Sequence, residues 1–228
     1  KSLTLKMPLG TTFSPDADEE QTLIRSEEEI FALNNNQSKT LDFIGYCTEL
    51  HDSGCDEGTT FRMDQTKNTD LLNLLSFMDS LRIKDENTIQ HAIWSITDQS
   101  PLGYVTLDTD TSAARKLREY ICTKTGQANI WYNTASEIVE TPEHEFVIVP
   151  KEVKGEITFE STEEVHLYGV IKDSTGKVLH TSPRVINAPA GVEVTFDFAL
   201  TVIGWAPGKY SVVYTNNGKE VINQGFEI

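Results

Sequence analysis

Over the first 143 residues the apolar positions fall at helical spacing in three stretches and alternate in a few short ones. Leu71, Leu72, Leu74, Leu75, Phe77, Met78 and Leu81 predict a helix from about Thr69 to Leu81, with Asn68 or Thr69 accepting from its first free N–H groups. A second helix is predicted from Asn87-Thr88 to about Asp98, stopped by Ser100-Pro101. Its buried stripe is Ile89, Ala92, Ile93 and Ile96; Gln90 and Trp94 share one flank, a turn apart, where the indole can wall in the amide. The same helical angles turn His91 toward solvent. The third helix runs from Ser112 to Cys122 with Ala114, Leu117 and Ile121 inward, ending before Gly126. Short strand patterns occur at Leu3–Met7 and Ala128–Tyr132; Leu23–Leu33 fits strand or helix, with strand favoured at Ile30–Leu33; Leu41–Leu50 is a further apolar segment, and the Gly-, Asp- and Ser-rich segment His51–Thr60 reads as a loop.

After Glu140-Thr141-Pro142-Glu143 the period changes to two. Phe146–Val149, Glu156–Phe159, Val165–Ile171, Lys177–Leu179, Val192–Phe198, Tyr210–Tyr214 and Glu220–Ile228 are seven candidate strands. Turn residues separate several of them, as at Asp173-Ser174-Thr175-Gly176 and Asn216-Asn217-Gly218. The expected fold class is therefore an α+β domain with a helical insertion over residues 1–143, followed by an all-β immunoglobulin-like sandwich over 144–228 that serves as spacer or assembly module. The stretch Ala206-Pro207-Gly208-Lys209-Tyr210 resembles the Pro-Gly-x-Tyr strand opening of secreted sandwich modules in bacterial surface proteins.

Charge narrows the partners. With 35 acidic against 19 basic residues the net charge is −16, which disfavours nucleic acid and anionic membrane surfaces. No apolar run approaches the length needed to span a bilayer, so membrane insertion is not expected. The chain opens at Lys1 with no initiator Met or signal peptide, as expected of a mature or trimmed product. No anchoring signal of the sortase type follows the last strand. A secreted or cell-surface location is the expectation.

Cys47, Cys55 and Cys122 make an odd count, which in a secreted protein suggests one disulfide and one thiol with another occupation. If Cys55 bonds Cys122, Cys47 is left available; if Cys47 bonds Cys55 across the intervening loop, it is not. Connectivity is not fixed by sequence, and the Cys55–Cys122 bond is expected only where Cys47 has another role. No C-x-x-C or His pair at ligand spacing accompanies them, so zinc is not expected.

Tyr46-Cys47-Thr48 is followed, 43 residues on, by Ile89-Gln90-His91-Ala92-Ile93-Trp94. A cysteine behind an aromatic residue and a glutamine in this apolar frame are the pair an internal thioester needs. The Cys47 thiolate would attack the Gln90 side-chain carbonyl, ammonia would leave, and an acyl electrophile would remain. The two motifs resemble those of the thioester domains of bacterial surface adhesins. That resemblance implies covalent capture of an amine on a host or neighbouring-cell surface protein, a single-use event rather than enzymatic turnover. It also implies a helical insertion between the Cys-bearing strand and the Gln-bearing helix.

Tyr46 and Trp94 are expected to wall the pocket. Glu49, two residues beyond Cys47 on the same strand face, can take a proton from an incoming amine, although in isolation it reads as a solvated surface glutamate. His91 can shuttle a proton only if it turns from solvent toward Gln90. Read without the resemblance, Gln90 caps or decorates a helix and Cys47 is a buried or disulfide-bonded residue.

Other chemistry is thinly represented. Asp108-Thr109-Asp110 and Asp16-Ala17-Asp18-Glu19 carry alternating carboxylates of the kind Ca²⁺ prefers, without the glycine and terminal glutamate of an EF-hand; Asp108 and Asp110 more simply favour the start of the third helix. His51, His91, His144, His166 and His180 accompany no nucleophile elbow, and phosphate loops and dinucleotide fingerprints are missing. No cofactor is expected. Two non-covalent readings stand beside the thioester: an extracellular structural or polysaccharide-binding protein, and a filament subunit that self-assembles by pairing Leu3–Met7 with a neighbour's sheet edge.

Overall fold

The computed structural model describes residues 2–16, 20–35, 37–107 and 109–228. The chain is mostly β, with several antiparallel sheets and three α-helices. It divides into two compact units, one of residues 1–129 with 138–148 and the other of residues 130–137 with 149–228. The division differs from a single cut at residue 143. Trp131 and Tyr132 are apolar anchors of the second unit's core, so the chain enters that unit early, leaves it, and returns.

In the first unit, β1 (Ser2–Met7) pairs with β4 (Glu29–Asn34) as an antiparallel ribbon. A four-stranded sheet has the order β5-β3-β2-β6, built from β2 (Thr11–Pro15), β3 (Leu23–Ile24), β5 (Tyr46–Cys47) and β6 (Phe61–Gln65). The predicted apolar segment Leu41–Leu50 thus yields only a two-residue strand. Asp42, Phe43 and Ile44 stay exposed, so the residues ahead of Tyr46 have no buried face to fix a strand.

Helices α1 (Thr69–Ser80), α2 (Glu86–Thr97) and α3 (Thr111–Thr125) lie close to their predicted limits. Each opens on a side chain that satisfies its first N–H groups: Asn68 for α1, Asp85 for α2 and Asp110 for α3. Gly126 ends α3 in the left-handed conformation at φ 74°. A 3₁₀ turn, Leu102–Tyr104, follows α2. Helix α2 is buried continuously from Thr88 to Ser95, because α1, α3, β5 and the 3₁₀ turn all pack against it. A helix buried on every side belongs in the middle of its unit. Of the carboxylate pairs weighed for Ca²⁺, Asp108 and the run Ala17–Glu19 lie outside the described residues.

Two further antiparallel sheets lie mainly in the second unit. One has the order β10-β9-β12-β13, from β9 (Val165–Asp173), β10 (Val178–Ala188), β12 (Lys209–Asn216) and β13 (Lys219–Glu227). The other has the order β11-β8-β7, from β7 (Tyr132–Glu140), β8 (Phe146–Phe159) and β11 (Val194–Thr201). Both sheets contribute to one core, in which Val153, Ile157 and Phe198 from the second meet Leu167, Val212 and Phe226 from the first.

Candidate functional site

Strand β5 is short, yet Cys47 is firmly placed. Leu23 and Ile24 of β3 pair with Cys47 and Tyr46, and the Thr48 N–H donates to the Thr22 carbonyl at 2.9 Å. The pleat sends the Tyr46 and Cys47 side chains to opposite faces. Tyr46 is buried and, with Ser26, Phe43, Ile44 and Ile89, borders a groove of about 370 Å³ on its own side of the strand. Burial pushes its phenol up from the ordinary value, against the pull of a hydrogen bond from Ser26.

Gln90 approaches β5 from α2, and its carboxamide locks onto the Cys47 backbone at two points. The Cys47 N–H donates to Gln90 Oε1 at 2.9 Å, and Gln90 Nε2 donates to the Cys47 carbonyl at 2.8 Å. Asp85 sets the register of the helix that delivers it, accepting from the Thr88 N–H at 2.8 Å and the Thr88 hydroxyl at 2.7 Å. The side chain of Gln90 thereby does what a neighbouring strand would do, satisfying both backbone groups of a residue that has strand β3 on its other side. Gln90 is 9% exposed, so these bonds form away from bulk water.

The two sequence motifs therefore meet, and they meet through the residues that define them. The Cys47 N–H thus polarises the Gln90 carboxamide at Oε1, while Nε2 is engaged by the Cys47 carbonyl. The thiol itself is held in its protonated form: burial, then the neighbouring Cys55 and Glu49, push it up to about 12. A thiol so raised carries little thiolate, the reactive form of sulfur, at neutral pH.

His91 differs from its expected place. It is 3% exposed, its ring stacked on Tyr104 with centroids 5.4 Å apart and edge-on to Trp94 at 5.8 Å. A helical angle places a side chain in solvent only where the helix has a wet face, and α2 has none over this stretch. Burial lowers its pKa to about 4, so the imidazole is neutral at neutral pH. Trp94 is 1% exposed, and its indole Nε1 lies buried without a hydrogen-bond partner.

Glu49 also differs from a solvated glutamate. It is half-buried; Oε2 accepts the Thr22 N–H at 2.8 Å and Oε1 accepts the Thr48 hydroxyl at 2.7 Å. Burial raises its pKa, although both hydrogen bonds pull it back. Its carboxylate thus buttresses the β3–β5 pairing on the sulfur's side of the strand.

All three cysteines are free thiols in the structure, so the expected Cys55–Cys122 bond is not formed. Cys55 Sγ instead donates to the Gln21 carbonyl at 3.3 Å. Gln21, fully buried, donates from its backbone to Ser53 and from Nε2 to the Asp52 carbonyl, which ties the loop carrying Cys55 to the approach of β3. Cys122 rides on α3, its thiol raised by burial. The sequence carries no signal for Gln21, which looks like any polar residue before a strand. Among the described residues no group of three His, Cys, Asp or Glu side chains is arranged to hold a metal ion.

No protein-family model matches the chain, and no curated protein matches it. Among solved structures, beta-glucosidase 3B from Thermotoga neapolitana in complex with glucose is similar over 42% of this chain and 15% of that one, at 10% identity and a TM-score of 0.25.

Proposed function

We propose that the first unit captures amines covalently through an internal thioester between Cys47 and Gln90. The observation that carries this reading is the reciprocal hydrogen bonding of the Gln90 carboxamide with the Cys47 backbone, which holds the amide carbon beside the residue that bears the sulfur. In formation, the Cys47 S–H adds across the Gln90 amide carbonyl, its proton passes to Nε2, and ammonia leaves. In capture, a primary amine attacks the same carbon, a secondary amide forms, and Cys47 recovers its thiol. The second unit, as an immunoglobulin-like sandwich, would serve as spacer in a secreted or cell-surface adhesin-like protein. The burial of Gln90 supports the storage of such a bond, because water must be kept from it.

A second reading is favoured by the Cys47 thiol being pushed up to about 12. In it, Gln90 is a structural clamp on a short strand and the protein binds its partner without covalent chemistry. Intact mass separates the two. A non-reduced mass lower by about 17 Da, one ammonia, shifted upward by methylamine and restored by Cys47→Ala, supports the thioester. A mass equal to that of the unmodified chain, unchanged by methylamine, supports the clamp.

A further inference from the structure

A β-sheet edge with free N–H and C=O groups pairs with other strands unless something blocks it. The two sheets have four edge strands, β10, β13, β11 and β7, of which β7 runs on from the second unit into residues of the first and is not wholly an edge of this unit. The β10 edge is broken by a register shift between Thr181 and Val185. There Pro183 has no N–H to offer, and Ser182 turns its hydroxyl back onto the Arg184 backbone. The β13 edge is covered by side chains: Trp131 Nε1 donates to the Gly225 carbonyl, and the Tyr132 hydroxyl accepts the Glu227 N–H.

Strand β11 has no such device. It pairs with β8 in unbroken register over eight residues, Val194 to Thr201, and contains no proline, glycine or lysine. A cavity of about 320 Å³ opens along it, apolar at Phe198, Leu200 and Val212 and polar at Ser182, Arg184 and Asp197. On the outer face of the same strand, Asp197 stands directly across from Glu156 of β8. Like charges at such a position repel, and neither carboxylate has a cationic partner among the described residues.

We propose that β11 is a docking edge for an extended peptide segment of a partner protein, added as a further antiparallel strand, with the pattern apolar–basic–apolar. The basic residue lies outward beside Asp197 and relieves its repulsion with Glu156. The flanking apolar residues turn inward, one of them into the cavity beside Phe198. A second copy of this chain is a poorer occupant, because pairing β11 with itself sets two Asp197–Glu156 pairs together on molecules of charge −16. The site is independent of Cys47 and Gln90.

The test uses the full chain and a fluorescent, end-blocked peptide, Thr-Val-Thr-Leu-Arg-Leu-Thr-Val-Thr; arginine replaces lysine because a guanidinium is not acylated by a thioester. Saturable binding by anisotropy is expected, weakened about tenfold when Glu replaces Arg in the peptide. Asp197→Lys, an exposed substitution, is expected to reverse that preference. N-methylation of alternate peptide amides on the pairing edge is expected to abolish binding. No saturable binding up to about 1 mM would overturn the proposal. Equal binding by the N-methylated peptide would do so as well, as would an unchanged Arg-over-Glu preference in the Asp197→Lys chain.

Discussion

The imidazole of His91 stacks on the phenol ring of Tyr104 at 25° between planes, inside the first unit and away from water. A histidine with a pKa near 6.5 when unfolded and lowered to about 4 when folded binds more protons in the unfolded chain between those values. Its contribution is therefore complete above pH 6.5 and is lost as the pH falls toward 4, by about 3 kcal/mol in all. Urea midpoints measured from pH 7 to pH 4 should show this decline on top of that from the carboxylates. His91→Phe, which keeps a ring against Tyr104, should flatten the curve by that amount. Parallel curves for the two chains would mean that His91 does not carry the dependence.

Replacing Gln90 by Ala strands the Cys47 N–H and carbonyl beside an apolar gap. Two lost hydrogen bonds with their partners left buried should cost the first unit about 2–3 kcal/mol. Denaturant unfolding measures this on protein whose intact mass shows the free Gln90 carboxamide, since loss of ammonia would already remove the Nε2 donor. A loss near zero would indicate that water replaces the amide.

The thiol of Cys47, raised to about 12, should alkylate more slowly than an ordinary cysteine by about a thousandfold at neutral pH. On methylamine-treated protein, in which Cys47 is a thiol under either reading, timed iodoacetamide labelling followed by peptide mass mapping should show Cys47 last to react, after Cys55 and Cys122, with all three equalised in denaturant. If Cys47 labels first, its environment favours the thiolate and the thioester route is faster than its burial suggests.

Gly155 in β8 lies against Trp131, and a Cβ placed there would stand 2.7 Å from the indole and 2.8 Å from the Trp131 carbonyl oxygen. Because backbone as well as ring would have to move, Gly155→Ala should destabilise the second unit by about 1–3 kcal/mol. Thermal unfolding followed by tryptophan fluorescence reads this directly. Full retention of stability would show that β8 can slide away from the indole.

Much of the second unit was readable from period and punctuation, since β9, β11, β12 and β13 sit where alternation and turn residues put them. Two features were hidden. Phe146–Val149 and Glu156–Phe159 are one strand, because Pro150 and Gly155 look like breaks although one is accommodated and the other makes room for Trp131. Strand β10 runs on to Ala188 through mainly exposed positions, so no apolar alternation announces it. In the first unit the nearness of Cys47 and Gln90 was legible in the two motifs, though the backbone hydrogen bonds that join them were not. The burial of His91 was not, because it depends on how many neighbours α2 has, and that is a property of the packed unit rather than of the helix.

The hydrogen bonds that join Trp131 and Tyr132 to β13 tie residues 94 and 95 positions apart, the start of the second unit to its last strand. A pull applied between residue 130 and residue 228 is met by that tie before it reaches the interior strands. Load then passes across the unit along a short path, and the strands beyond it stay slack. A module strapped in this way can transmit tension without being unravelled from its ends, and its first point of mechanical failure is two side chains rather than a sheet.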